Sequence, residues 1–163
     1  MPPKWLHPLV KFEDFEGIWD VYLSKIYEFY RKDFVDDKPK FKGKAISVKR
    51  HPEYDNKEAT FWHIISDGKV EDARVPNLRR CERIRWPAPI IQNSDFDKLK
   101  IWENKRGSET RILIWFEEME YLVVLVDKKK FILFLTAYPT DLEHTKRKLG
   151  KEYCENKKPE GDQ

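Results

Sequence analysis

The stretch RILIWFEEMEYLVVLVDKKKFILFLTAY, residues 111–138, decides the fold. It holds three apolar runs separated by charged turns too short for crossover helices, so it reads as consecutive antiparallel strands. The middle run, 121–126, is apolar on both alternating faces, which makes it a central strand covered on both sides. The third run ends in Thr136 and Tyr138, two hydroxyl side chains that share one strand face. Ordinary β-propensity accounts for both residue types. A second reading makes them hydrogen-bond donors to a phosphate, with the tyrosine also able to stack on a base.

Working outward, 99–104 and 111–116 form a hairpin across Lys105, Arg106, Gly107 and Ser108, with Gly107 available for a positive φ and two cations at the tip. On the C-terminal side, Thr140 or Asp141 caps a final helix reaching Tyr153, with Leu142, Thr145 and Leu149 on its inner face. On the N-terminal side, Pro76 suits the first turn of a helix. At roughly 100° per residue, Leu78, Cys81 and Ile84 then line one side and Arg79, Arg80 and Arg83 the other, until Pro87 and Pro89 end the element.

Residues 60–65, TFWHII, read as a strand with Phe61, His63 and Ile65 on one face, and Asp67-Gly68 as its turn. A short half-exposed strand covers 46–48, and 51–58 form a loop. Phe15, Ile18, Trp19, Tyr22, Ile26, Phe29 and Tyr30 recur at steps of three and four, which predicts a helix over 14–34 with a broad aromatic core face. Pro39 breaks the chain after it. Residues 1–11 form an extended lead-in and 157–163 a polar disordered tail.

The sum is a single α+β domain over 1–156. An N-terminal helix and a basic middle helix pack on a mostly antiparallel sheet of four to five strands, followed by a C-terminal helix.

At 163 residues the chain can bury one core without metals or disulfides. Charged residues make up 37 %, yet the net charge is only +3, so total charge does not single out nucleic acid as a partner. Cys81 and Cys154 lie far apart and outside any C-x-x-C pattern, which points to free thiols in a reducing compartment rather than a zinc site. No run approaches the ~18 apolar residues of a membrane span, and no signal peptide is legible. These features point to a soluble, cytoplasmic protein.

Five arginines, Arg74, Arg79, Arg80, Arg83 and Arg85, crowd one short segment. Arg79 and Arg83 are four apart and can converge on one anion. For Arg79 and Arg80 a solvated charged face is an equal alternative. Arg83 and Arg85, set between Ile84, Trp86 and the double-proline bend, are the stronger functional candidates. Arg85 falls near the apolar side, so it snorkels, pairs with a carboxylate or reaches into a cleft. His63 is either a core histidine with a satisfied hydrogen bond or a general acid or base.

No two histidines have metal-ligand spacing, and no Walker-type glycine loop or H-E-x-x-H occurs, so neither metal nor cofactor is expected. If these groups meet, the chemistry that fits is RNA phosphodiester cleavage by the substrate's own 2′-hydroxyl. That reaction needs a proton acceptor, a proton donor and cationic stabilisation of the phosphorane.

The segments TFWHI (60–64), RRCERIRW (79–86), PIIQN (89–93), YLVVL (121–125), LTAY (135–138) and KLGKEY (148–153) carry a resemblance. Across 60–153 the chain resembles the barnase–EndoU–colicin–RelE-like (BECR) nuclease superfamily, in particular its phage-type branch. The resemblance implies a small metal-independent endoribonuclease, toxin-like in role, cutting RNA on an exposed sheet face. It implies catalytic roles for His63, Arg83, Thr136 and Tyr138, gathered around one phosphate in a shallow basic cleft. Arg79, Arg85, Lys105 and Arg106 would bind substrate. Expected partners are RNA of the tRNA or mRNA class and a cognate antitoxin or immunity protein, with no membrane.

The alternative is a non-catalytic RNA- or protein-binding module of the same fold. Trp5, Trp86 and Trp102 would be the anchors of a protein interface.

Overall fold

The computed structural model describes residues 2–67 and 75–156. Its architecture is α+β. The central sheet has six strands: β1 (Lys40–Phe41), β2 (Lys44–Ser47), β5 (Lys100–Arg106), β6 (Glu109–Phe116), β7 (Tyr121–Asp127) and β8 (Ile132–Pro139), in the order β1-β2-β8-β7-β6-β5. A separate two-stranded pair joins β3 (Ser66–Asp67) to β4 (Val75–Pro76). The helices are α1 (Trp19–Arg31), α2 (Ala59–Ile65), α3 (Leu78–Cys81), α4 (Pro87–Gln92) and α5 (Glu143–Asn156). No helix among the described residues is long and apolar enough to cross a membrane.

The segment 111–138 folds as its sequence dictates. β5, β6, β7 and β8 run antiparallel in sequence order, and Gly107 turns the first hairpin at φ +63°. β7 is buried along nearly its whole length, since both faces of the sheet are covered there. The sheet is larger than the four to five strands expected, and one pairing is parallel: β2 aligns with β8 through Ile46–Ile132 and Ser47–Leu133.

The front face carries Ile112, Ile114, Phe116, Tyr121, Val123, Leu125, Phe134 and Ala137, covered by the N-terminal segment, α1, α2 and α4. The back face carries Trp102, Leu113, Trp115, Leu122 and Val124 against Leu149 and Tyr153 of α5. A β-bulge shifts the β7–β8 register so that Val124 faces Thr136 while Leu125 faces Phe134, leaving Leu135 as the extra residue. Phe134 and Ala137, three apart, thereby both reach the front core, and Thr136 and Tyr138 share the back face.

Several elements differ from the sequence reading. The segment 60–65 is helix α2, not a strand. Phe61, Ile64 and Ile65, at helical spacing, all enter the front core, and that packing overrides the β-propensity of a short Thr/Ile-rich run. His63 therefore lies roughly 200° around the helix from both Phe61 and Ile65 instead of beside them.

The first helix does not begin at residue 14. Phe12–Phe15 is a separate 3-10 turn, Glu16 and Gly17 take positive φ, and α1 starts at Trp19 and ends in a wider π turn over Lys32–Asp36. Residues 5–10 are not an idle lead-in either. Trp5, Leu6, Leu9 and Val10 pack on the core, and the Val10 N–H donates to the Glu82 carbonyl at 2.8 Å.

The basic middle helix is a single turn, α3, because Pro76 belongs to β4 and Asn77 is the cap. Of its expected inner side, Cys81 and Ile84 are buried but Leu78 is exposed. Pro87 opens the next helix, α4, where its missing N–H leaves no bond unmade. Leu142 precedes α5 and is exposed rather than inward, while the Thr140 hydroxyl accepts from the Trp115 indole at 3.1 Å. Trp86 and Trp102 are buried and Trp5 packs on the core, so they are not free to anchor a partner. The expected turn at Gly68 and tail at 157–163 lie outside the described residues.

Candidate functional site

The pairing of β2 with β8 covers only Ile132 and Leu133, so beyond them β8 has no strand neighbour on that side among the described residues. Helices α2 and α3 pack there instead. What fixes α3 against α2 is a small set of polar contacts. The Asn77 N–H donates to the Ile65 carbonyl at 2.8 Å, and its side-chain oxygen accepts from the N–H groups of Arg79 and Arg80 at 2.8 and 3.3 Å. This N-cap satisfies two otherwise orphaned donors and sets the direction of the arginines that follow.

Arg80 is the residue this arrangement aims at β8. Its Nε pairs with Asp67 at 3.0 Å, and its Nη1 donates to the His63 carbonyl at 3.4 Å, one of the carbonyls left open at the end of α2. Its guanidinium carbon lies 5.3 Å from the centre of the Tyr138 ring. Nη2 has no partner among the described residues, although the side chain is only 16 % exposed.

Tyr138 sits in a balanced field. Burial pushes its phenol pKa up, Arg80 opposes that, Glu152 adds to it, and Arg106 and Arg111 oppose it. The net shift is upward, so the phenol holds its proton and acts as a donor at neutral pH. Two residues back on the same face, the Thr136 hydroxyl is buried and has no hydrogen-bond partner among the described residues. Arg80, Arg106 and Arg111 thus bring positive charge to the Tyr138 face from three different elements.

The other arginines make contacts of their own, although the buried Nε of Arg83 has no partner among the described residues. Arg85 forks onto Asp33, with Nη2–Oδ1 at 2.9 Å and Nε–Oδ2 at 3.3 Å, and lies over the Phe29 ring. Of the three outcomes open to it, pairing with a carboxylate is the one observed. Arg83 Nη1 donates to the Glu82 carboxylate and the Arg79 carbonyl, and its guanidinium stacks on Trp86. Arg79 pairs with Asp141 at 2.9 Å and does not share an anion site with Arg83. Lys105 is exposed and, by strand alternation, points opposite to Arg106. Arg74 lies outside the described residues.

His63 is half-buried and lines a cavity of about 730 Å³ between α1, the 52–55 loop and α2. Among the described residues, His63 alone of the expected site residues lines it. The cavity's charged lining is acidic, from Asp20, Glu53 and Asp55, rather than basic. The arrangement therefore has two parts: an aromatic and acidic cavity on one side of α2, and an arginine, tyrosine and threonine group along β8, joined through Arg80 and His63.

Arg80 is the residue that sequence spacing undervalued. Its signal was Asn77, an N-cap residue type two positions before Arg79, which starts the helical turn later than Pro76 suggests and turns Arg80 inward. No family model, no curated protein and no solved structure matches this chain.

Proposed function

We propose that the chain is a metal-independent endoribonuclease-like protein of the barnase–EndoU–colicin–RelE-like kind, whose phosphate site lies along β8. The single observation that carries this reading is Arg80. One part-buried guanidinium lies 5.3 Å from the centre of the Tyr138 ring, reaches the backbone of His63 and keeps an Nη2 group with no partner among the described residues.

In this reading the scissile phosphate lies against Arg80, with the protonated Tyr138 phenol as a further donor to the phosphorane oxygens, and with the buried Thr136 hydroxyl as another once the side chains that cover it move aside. Arg106 and Arg111 raise the local potential and draw the backbone in. The proton-transfer group of this reading is His63, whose backbone carbonyl accepts from Arg80; its imidazole lines the cavity on the other side of α2 and has to turn toward β8 to reach the 2′-hydroxyl or the leaving oxygen. Arg80 takes the role first assigned to Arg83, whose guanidinium is held by Glu82.

The test is cleavage of mixed RNA by the full chain in EDTA. Wild type should cut, and Arg80→Ala or His63→Ala should slow cutting by about 10²-fold or more. Arg80→Lys, which keeps the charge, separates electrostatics from loss of the fork. Absence of cleavage by folded wild type, or full activity in Arg80→Ala, would overturn the proposal.

A second reading, a non-catalytic RNA- or protein-binding module of the same fold, is favoured by one observation. Arg79, Arg83 and Arg85 are each tied to a carboxylate, which suits a structural charge network. It predicts salt-sensitive RNA retention that His63→Ala leaves unchanged.

A further inference from the structure

The cavity beside α2 has a chemistry of its own, independent of the ribonuclease reading. Three aromatic side chains line it, Trp19, Tyr54 and Trp62, together with three carboxylates, Asp20, Glu53 and Asp55. Among the described residues no lysine or arginine lines it. At about 730 Å³ it falls within the usual range of small-molecule sites, roughly 300–1,000 Å³.

Its aromatic wall is held in position. The Trp62 indole N–H donates to the Tyr54 carbonyl at 2.8 Å, and the two rings meet edge to face with centroids 5.4 Å apart. That bond ties the 52–55 loop to α2 and leaves ring faces for a ligand. On the opposite wall Trp19 is backed by Phe12 and Tyr22.

Two of the three carboxylates already hold a cation, and among the described residues Asp20 does not. Glu53 and Asp55 pair with Arg50 and Lys57, both outside the lining, and Asp20 has no ion-pair partner among the described residues. Aromatic faces attract cations through the ring quadrupole, and a nearby carboxylate adds a charge-assisted hydrogen bond. An anion such as a phosphate would meet repulsion at the same place.

We propose that this cavity binds an alkylammonium cation, with the charged head between Asp20 and the Trp19–Trp62 faces and the chain along Leu23 and Tyr54. A free polyamine and a lysine side chain share that chemistry. Bound there, the cation would also lie beside His63, which lines the same cavity.

The test is a titration of the full chain followed by the indole N–H signals of Trp19 and Trp62 in proton–nitrogen correlation spectra. Each signal would be assigned by its Trp→Phe variant. The probes are spermidine, a blocked lysine-containing tetrapeptide and adenosine. Spermidine or the peptide should shift both signals saturably, and the tighter of the two identifies the source of the cation. Asp20→Asn, on an exposed helix position, and Tyr54→Ala should each weaken binding about tenfold.

No saturable shift with either amine, or the same affinity in Asp20→Asn, would overturn the proposal. So would a response to adenosine alone, which would make the cavity a nucleobase site. RNA cleavage need not be present for any of these outcomes to be read.

Discussion

The two faces of the sheet are built from the same strands but solve different problems. The front face is covered by four segments and closes into one apolar core, in which aromatic rings meet ring to ring: Phe34 on Phe134 at 4.7 Å, Tyr30 on Phe34 at 5.8 Å. The back face is covered by α5, and along β8 it keeps a buried hydroxyl with no partner among the described residues, a half-buried phenol and three arginines within electrostatic reach. Front-face residues are mostly explained by packing, although the Tyr30 hydroxyl there is also buried with no partner among the described residues. Back-face residues along β8 are not, because nothing in packing favours an unsatisfied Thr136 over valine. That difference separates the residues that hold the fold from those that have some other reason to be there.

The comparison breaks most visibly if the front face tolerates a cavity. Phe134 is buried and stacked, so Phe134→Ala should cost about 4 kcal/mol in urea unfolding, through lost transfer energy and the void left behind. A loss no larger than that from Leu135→Ala, whose side chain is only half-buried on the other face, would show that the two faces do not differ as described.

A smaller effect tests a charged pair buried at the front. Asp33 is 7 % exposed and forks with Arg85, itself 18 % exposed on its side chain. Removing one partner strands the other in a low-dielectric site, so Asp33→Ala should cost about 3 kcal/mol. Replacing both, as Asp33→Leu with Arg85→Met, should recover most of that loss. If Arg85 instead binds substrate, the double variant would lose RNA affinity while regaining stability, and a filter-binding measurement beside the unfolding curve separates the two.

Legibility in the sequence follows the same division. Strands β5 to β8 could be read because alternation, short charged turns and Gly107 all agree, and the aromatic stripe from Trp19 to Tyr30 needs no partner to be recognised. TFWHII could not be read reliably. Six residues, four of them apolar, fit a strand as well as two helical turns, and only the front core decides that Phe61, Ile64 and Ile65 point the same way. The parallel β2–β8 pair was hidden because it joins segments some ninety residues apart.

For the candidate site, Thr136, Tyr138 and His63 were visible as residue types, but their neighbours were not. Arg80 and Arg83 look equivalent on a projected helix, whereas the structure has only one turn there. Asn77 then sends Arg80 to β8, and Glu82 retains Arg83. Cys81, pushed up to about 12 by burial, could be placed inside from spacing alone, since nothing but apolar packing is asked of it.

The smallest expected effect on stability is the most informative, and it has the opposite sign. A buried hydroxyl without a partner has lost its hydration and gained nothing in exchange. Thr136→Val removes that hydroxyl, keeps the β-branched shape and keeps the strand preference, so the folded state should gain about 1 kcal/mol in urea unfolding. If the hydroxyl serves a phosphate, the same variant should cut RNA more slowly than wild type while melting later. That opposition is the signature of a group retained at a cost to the fold. A variant that is both less stable and equally active would mean that Thr136 has a structural partner and that the back face of β8 is ordinary packing after all.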